Sequence, residues 1–275
     1  MEIVVQAAAT GIVQGLTEFL PISSSGHLIL VPWLMGWHDP FLNSLAFSVM
    51  LHVGTLAGLL LYFQADWRRL VPAWFASLRE RRLGGDPDRR LAWMLVLGTA
   101  PAAVAGLLFE DAIERGVREP QIVAAMLLVG AAILLLADRL GRRTRAIDSL
   151  RFGDAMAIGV AQALALVPGV SRSGISISAG LALGLDREAA ARFSFLLATP
   201  AIAGAGLLES YGLLRGGNGI TVDLAALVIG MATALAAGLV AIHGLLAYLR
   251  HHGLGSFVAY RIALAALVGA VLLAR

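Results

Sequence analysis

Long apolar runs, interrupted at intervals by short polar clusters, fill this 275-residue chain. A helix that crosses a bilayer needs about 20 mostly apolar residues. By that measure residues 41–64, 91–109, 121–137, 193–208, 224–249 and 257–274 read as six spans. Pro101 and Pro200 fall inside two of them and predict kinks, because neighbouring helices re-satisfy the backbone groups that a proline frees. Two further apolar stretches, 3–37 and 152–185, are each interrupted midway. The first interruption carries Glu18, Pro21, Ser23, Ser24, Ser25, Gly26 and His27; the second carries Pro168, Gly169, Ser171, Arg172, Ser173 and Gly174. Such clusters break a helix, and broken backbone is tolerated at membrane depth only against protein or a wet cavity. Both stretches therefore read as re-entrant helix–loop–helix segments that enter and leave on one side.

The arginines test that topology. With six spans and two re-entrant segments, one face collects fifteen of them: Arg68, Arg69, Arg79, Arg81, Arg82, Arg89, Arg90, Arg139, Arg142, Arg143, Arg145, Arg151, Arg187, Arg192 and Arg250. The other face receives four, Arg115, Arg118, Arg215 and Arg275. Basic loops stay in the cytoplasm, so the first set is cytoplasmic and both termini lie outside. Counting either interrupted stretch as a full span would mix the two sets.

Composition sharpens the class. Hydrophobic residues make up 59% and charged residues 14%, against about 45–50% and 25% in soluble domains. A water-soluble globule would have to expose large apolar patches, so the chain reads as an all-α integral membrane protein. There is no cysteine, which removes thiolate nucleophiles, disulfides and cysteine zinc sites. Lysine is absent too, and the net charge of +3 comes from loops rather than a basic nucleic-acid face. Glu2 is acidic and no arginine or lysine precedes Arg68, so no secretory signal is expected at the N-terminus.

An internal repeat is also legible. Laying residues 11–14 (Gly-Ile-Val-Gln) over 159–162 (Gly-Val-Ala-Gln) sets an offset of 148 positions, which superposes Ser23 on Ser171, Ser24 on Arg172, Ser25 on Ser173 and Gly26 on Gly174. The prolines Pro21 and Pro168 miss by one. Each half then holds one interrupted segment and three spans. Three is odd, so the second copy sits upside down. The expected architecture is a single membrane domain, 1–275, with inverted repeats at 1–138 and 150–275. Inverted repeats with broken helices bring their breaks together near mid-membrane.

The two breaks carry complementary chemistry. Gln14 and Glu18 are four apart and share a helix face; a carboxylate plus an amide carbonyl suits a hard divalent cation. Ser23, Ser24 and Ser25 offer hydroxyl nucleophiles or helix caps, and His27 is close enough to serve as acid or base. In the second break glycines admit a ligand to the backbone, hydroxyls flank Arg172, and the following helix offers free amides. That combination reads as an oxyanion cradle in which Arg172 adds bidentate phosphate recognition. The alternative for Glu18 is a neutral buried carboxyl satisfied by a neighbour, and for Arg172 pairing with a buried acid such as Glu18, which does not exclude the cradle. His52, His243 and Arg261 read as hydrogen-bonded or snorkelling, and Glu188 with Arg192 as a surface helix pair.

These residues resemble the bacitracin-resistance-type undecaprenyl pyrophosphate phosphatases. The family's (Glu/Gln)-x-x-x-Glu motif is matched by Gln14 and Glu18, its serine-rich stretch by residues ending in Gly26 and His27, and its Pro-Gly-x-Ser-Arg-Ser motif by Pro168, Gly169, Ser171, Arg172 and Ser173. Ser25 and Ser176 stand where threonine is frequent. The resemblance extends over essentially the whole chain, including residues 192–198. It implies an inverted-repeat enzyme, commonly dimeric, in the bacterial plasma membrane with its site open to the outer face. It would hydrolyse the polyprenyl pyrophosphate carrier to the monophosphate with a divalent metal (Mg2+ or Ca2+), recycling the carrier for cell-wall synthesis and conferring bacitracin resistance. It further implies Gln14 and Glu18 at the metal, Ser24 as nucleophile and His27 as its acid/base partner. Arg172 would clamp phosphate with Ser23, Ser25, Ser171, Ser173 and Ser176. A transporter or flippase of polyprenyl phosphate is the main rival, since carriers use the same devices.

Overall fold

The computed structural model describes residues 1–214 and 222–274, without the side chains of 110–115, 209 and 212–214. Arg115, Arg215 and Arg275 of the outer set thus lie outside the described side chains. Among the described residues eleven α-helices follow one another: α1 Glu2–Phe19, α2 Ser24–Met35, α3 Leu45–Tyr62, α4 Gln64–Glu80, α5 Pro87–Gly116, α6 Pro120–Leu140, α7 Phe152–Ala163, α8 Arg172–Ala182, α9 Arg187–Leu214, α10 Leu224–Leu249 and α11 Gly255–Ala274. Six are long and apolar enough to cross a membrane, those at Leu45–Tyr62, Pro87–Phe109, Pro120–Leu140, Arg187–Leu208, Leu224–Leu249 and Gly255–Ala274. They coincide with the expected spans. The helices of the two interrupted stretches, α1, α2, α7 and α8, are not among them.

The breaks fall where the sequence interrupts itself. Leu20 leaves α1 in extended geometry, and Pro21 cannot continue the hydrogen-bond ladder. The second interrupted stretch leaves α7 through a 3-10 turn, Leu164–Leu166, before Pro168 and Gly169. Gly169 has φ 99°, and an added Cβ there would meet the Val123 carbonyl oxygen of α6 at 2.6 Å. Only glycine fits this turn.

Helix α4 was not expected: residues 65–90 read as an arginine-rich loop. Its apolar Val71, Phe75 and Leu78 are spaced four and three apart on one face and are exposed, while Arg68 and Arg69 precede and Arg79, Arg81 and Arg82 follow. That is the pattern of an amphipathic helix. At its end Arg89 donates to Glu80 at 2.7 Å and holds the Glu80 carboxyl below the usual glutamate range.

Packing follows a regular exchange. Helix α1 lies along α10, and α7 lies along α5. Gly11 of α1 abuts the Gly230 carbonyl of α10, and Gly159 of α7 abuts the Gly98 carbonyl of α5; a Cβ at either glycine would collide with that backbone. Small residues at such crossings let helices approach where no hydrophobic effect drives them together. Helix α9 is the central post, with Phe193, Phe195, Leu196 and Leu197 all fully buried. Phe19 at the end of α1 stacks edge-on against Phe195, centroids 5.4 Å apart, and so fixes the helix end that carries Glu18.

The arginine-rich side is laced by ion pairs: Asp138 with Arg187 at 2.6 Å, Asp154 with Arg145 at 2.6 Å, and Asp66 with Arg192 at 2.6 Å. Glu188 binds Arg250 at 2.9 Å. Glu188 and Arg192 therefore do not pair with each other as their spacing suggested; each reaches a different helix end instead.

Candidate active site

The two breaks meet, and one carboxylate lies between them. Glu18, 3% exposed, accepts through Oε1 from Arg172 Nη2 at 2.9 Å. Its Oε2 accepts from Gln14 Nε2 at 3.0 Å and, in a short hydrogen bond, from the Ser24 hydroxyl. His52 Nε2 stands 3.3 Å from the same oxygen. Donors from α1, α2, α3 and α8 thus converge on a single acid.

Two atoms are left over. Arg172 Nη1 and Gln14 Oε1 are buried and have no hydrogen-bond partner. A buried unpaired polar atom costs about 1–3 kcal/mol, so each marks a place where a ligand atom would be stabilised. The repeat counterpart of Gln14 is Gln162, 3% exposed, and neither of its amide atoms is bonded.

The serines divide by position. Ser23 and Ser171 cap α2 and α8: each side-chain oxygen accepts from the amide three residues on, Gly26 at 3.3 Å and Gly174 at 3.1 Å. Both sit at φ 76°, a conformation costly to a residue with a Cβ and kept only where surrounding bonds impose it. Ser23 Oγ also accepts from the Gly169 amide at 3.1 Å, and Ser173 Oγ donates to the Leu20 carbonyl at 3.0 Å, so each break braces the other. Ser176 Oγ donates to the Arg172 carbonyl at 2.6 Å and lies 2.6 Å from Ser194 Oγ. The hydroxyls of Ser23, Ser171, Ser173 and Ser176, expected at a phosphate, are thus buried and committed to the protein. Ser24 and Ser25 are half-buried, and Ser24 alone bonds the acid.

His27 is not placed as Ser24's partner. Its Nδ1–H donates to the Ser23 carbonyl at 2.7 Å, which leaves Nε2 to accept from the Tyr260 hydroxyl at 2.7 Å. The ring is 4% exposed and lies parallel to Tyr260. The physical reason is that both ring nitrogens are already taken, one by the Ser23 carbonyl of the preceding turn and one by the Tyr260 hydroxyl of α11. His52, set aside on sequence grounds, occupies the site instead, its side chain 26% exposed. Its Nδ1 faces the Ser48 carbonyl at 2.7 Å and its Nε2 faces Glu18, so both contacts are satisfied when the ring carries two protons. A histidine inside an otherwise apolar span is costly, and that cost was the available signal. Arg261, also set aside, is fully buried and bonded to both breaks.

Comparison with known proteins finds relatives along nearly the whole chain. Residues 7–267 match the family described as bacitracin resistance protein BacA. An undecaprenyl-diphosphatase of Desulforudis audaxviator is 46% identical over 265 residues, 96% of each chain. That of Thermomicrobium roseum is 47% identical over 267 residues, 94% of each chain. That of Geobacter sulfurreducens is 46% identical over 274 residues, 99% of each chain. With a family match over nearly its full length and relatives of this identity, the chain belongs to the bacitracin resistance protein BacA family.

Proposed function

We propose that this chain is a membrane enzyme that hydrolyses undecaprenyl diphosphate to the monophosphate and inorganic phosphate. One observation carries the reading: Glu18 accepts at once from the Ser24 hydroxyl and from Arg172, while the second guanidinium nitrogen of Arg172 is buried and unpartnered. Diphosphate oxygens suit that open edge, since arginine binds phosphate in bidentate fashion. As the substrate draws Arg172 onto itself, Glu18 Oε1 is freed of its cation. Ser24 Oγ then bonds to the terminal phosphorus and its proton passes to Glu18 Oε2. The bond from phosphorus to the bridging oxygen breaks, and the lipid monophosphate departs with that electron pair. Water next attacks the phosphoserine; the proton stored on Glu18 returns to Ser24 Oγ, and inorganic phosphate carries away the proton of the water. Positioning and charge stabilisation supply most of the acceleration in such transfers. A carrier that only moved the lipid would need an anion cradle but no hydroxyl bonded to an acid.

A divalent cation fits the donor set. Gln14 Oε1 is free and belongs to the amide that already bonds Glu18; these two residues would hold Mg2+ or Ca2+, with diphosphate oxygens and water filling the shell. No group of three or more His, Asp or Glu side chains converges among the described residues, so the ion would depend on the substrate for its remaining ligands. Its contribution is neutralisation of phosphate charge.

The same reading takes the interrupted stretches as re-entrant and the halves 1–138 and 150–275 as inverted repeats in one membrane domain. Support comes from the shared φ at Ser23 and Ser171 and the exchanged packing of α1 on α10 and α7 on α5. The site then opens to the outer face of the plasma membrane, where its product re-enters cell-wall synthesis and its activity confers bacitracin resistance; a homodimer is carried by the family resemblance. The test is phosphate release from farnesyl or undecaprenyl diphosphate by purified protein in detergent, with and without EDTA. Release that EDTA abolishes is expected, and no release by the wild type overturns the proposal.

A further inference from the structure

Among the described residues Arg261 is the largest fully buried side chain, and no carboxylate there pairs with it. Its Nη2 donates to the Gly169 and Val170 carbonyls at 2.6 and 2.7 Å, and Nη1 donates to the Pro21 carbonyl at 3.4 Å. The three carbonyls belong to both breaks, two residues before Ser23 in one and one or two before Ser171 in the other. The guanidinium lies in a hollow made by glycines: a Cβ on Gly130 of α6 would strike it, and one on Gly174 of α8 would come within 3.0 Å of Nη1. The preceding residue, Tyr260, donates from its hydroxyl to His27 Nε2 at 2.7 Å. Two consecutive residues of one span therefore hold the entry to α2, the start of α8 and the first turn of α2.

We infer that Tyr260 and Arg261 are positioning residues that lock the two breaks in register, so that Ser24, Glu18 and Arg172 share one diphosphate. Neither touches the reacting atoms. Their effect passes through the backbone of residues 21 and 169–170 and through the His27 ring. This also assigns His27 a place in the machinery that its buried, doubly bonded ring permits: it passes the grip of α11 to the helix that bears Ser24. An arginine is needed because three carbonyls splayed over two chain segments match a planar fork; the compact ammonium of a lysine cannot reach them all.

The inference rests on the phosphatase reading for its kinetic arm only. Arg261→Lys, Tyr260→Phe and, as a control on the same helix, the exposed Ile262→Ala would be purified alongside the wild type. Turnover is measured with farnesyl diphosphate, and hydrogen exchange is followed by mass spectrometry. A displacement of about 1 Å costs roughly 10²-fold in rate, so Arg261→Lys is expected to lower kcat by about that factor with little change in KM. Tyr260→Phe is expected to lose about tenfold, the worth of one hydrogen bond. In both, amides of residues 20–27 and 167–174 should exchange faster while those of α10 keep the wild-type rate. Full kcat with unchanged exchange in both variants overturns the inference, as does exchange that rises along the whole chain. Where Arg261→Lys does not fold, Tyr260→Phe decides alone, since it removes a single hydroxyl. A wild type that releases no phosphate sinks the phosphatase reading, and the exchange pattern still decides the clamp.

Discussion

Replacing Glu18 by glutamine keeps the shape of the side chain and removes its charge. In the native site that charge faces Arg172 at 2.9 Å and His52 at 3.3 Å. Leaving one half of a buried ion pair unpaired typically costs about 3–5 kcal/mol. The Arg172 and His52 side chains are 16% and 26% exposed, so water relieves part of the loss and about 2–3 kcal/mol is expected. The new amide NH2 would also point donors at donors. For catalysis the variant loses the acceptor of the Ser24 proton, and removal of a general base lowers turnover by about 10²–10⁴-fold. Adding Arg172→Met separates the two effects. The double variant no longer buries an unpaired guanidinium, so its thermal stability in detergent should exceed the sum of the single effects by about 1 kcal/mol or more, while turnover stays lost. Phosphate release and melting, measured on Glu18→Gln, Arg172→Met and the pair, check both arms. A Glu18→Gln enzyme that hydrolyses at the wild-type rate would refute the assigned role of the carboxylate.

Further outcomes are expected from the same geometry. Ser24→Ala should lose at least about 10³-fold in turnover and give no phosphoserine on acid quenching. Ser23→Ala, which removes a cap worth about 1 kcal/mol, should mainly lower the melting temperature and still form phosphoserine. Gly159→Leu forces a side chain into the Gly98 carbonyl of α5 and should leave little folded protein in membranes, read by size-exclusion chromatography of fluorescent fusions. Gln14→Glu adds a second carboxylate beside Glu18, and the Mg2+ concentration that gives half-maximal activity should fall; an unchanged value would remove Gln14 from the metal site.

The six spans were legible because an uninterrupted apolar run is a sufficient statement about a membrane helix. Glu18, Ser24 and Arg172 were legible for the opposite reason: polar residues amid apolar ones demand an explanation. The sequence could not say which hydroxyl faces the acid, since Ser23, Ser24 and Ser25 differ only in register. The turn at Ser23 with φ 76° decides it, committing one serine to the cap and turning the next toward Glu18. His52 and Arg261 escaped because each stands alone in a conventional span, and their partners lie far away in sequence. Arg261 reaches Pro21 across 240 positions. Helix α4 escaped because its charges hid a regular spacing of Val71, Phe75 and Leu78. The sequence could not show that both ring nitrogens of His27 are engaged, because one of its partners, Tyr260, lies 233 positions away.

The acid and the guanidinium at the centre of the molecule are 154 residues apart in the chain, which has a consequence for its birth. A ribosome working at about 5–20 residues per second needs roughly 8–30 s to travel that distance. Through that interval the nascent first half holds a carboxyl group with His52 beside it but without its arginine. The early helix carrying Glu18 can settle into its final depth only after the second half emerges. A chain truncated before residue 172 should therefore be held at the insertion machinery or handed to quality control, and co-expression of the missing half should rescue it.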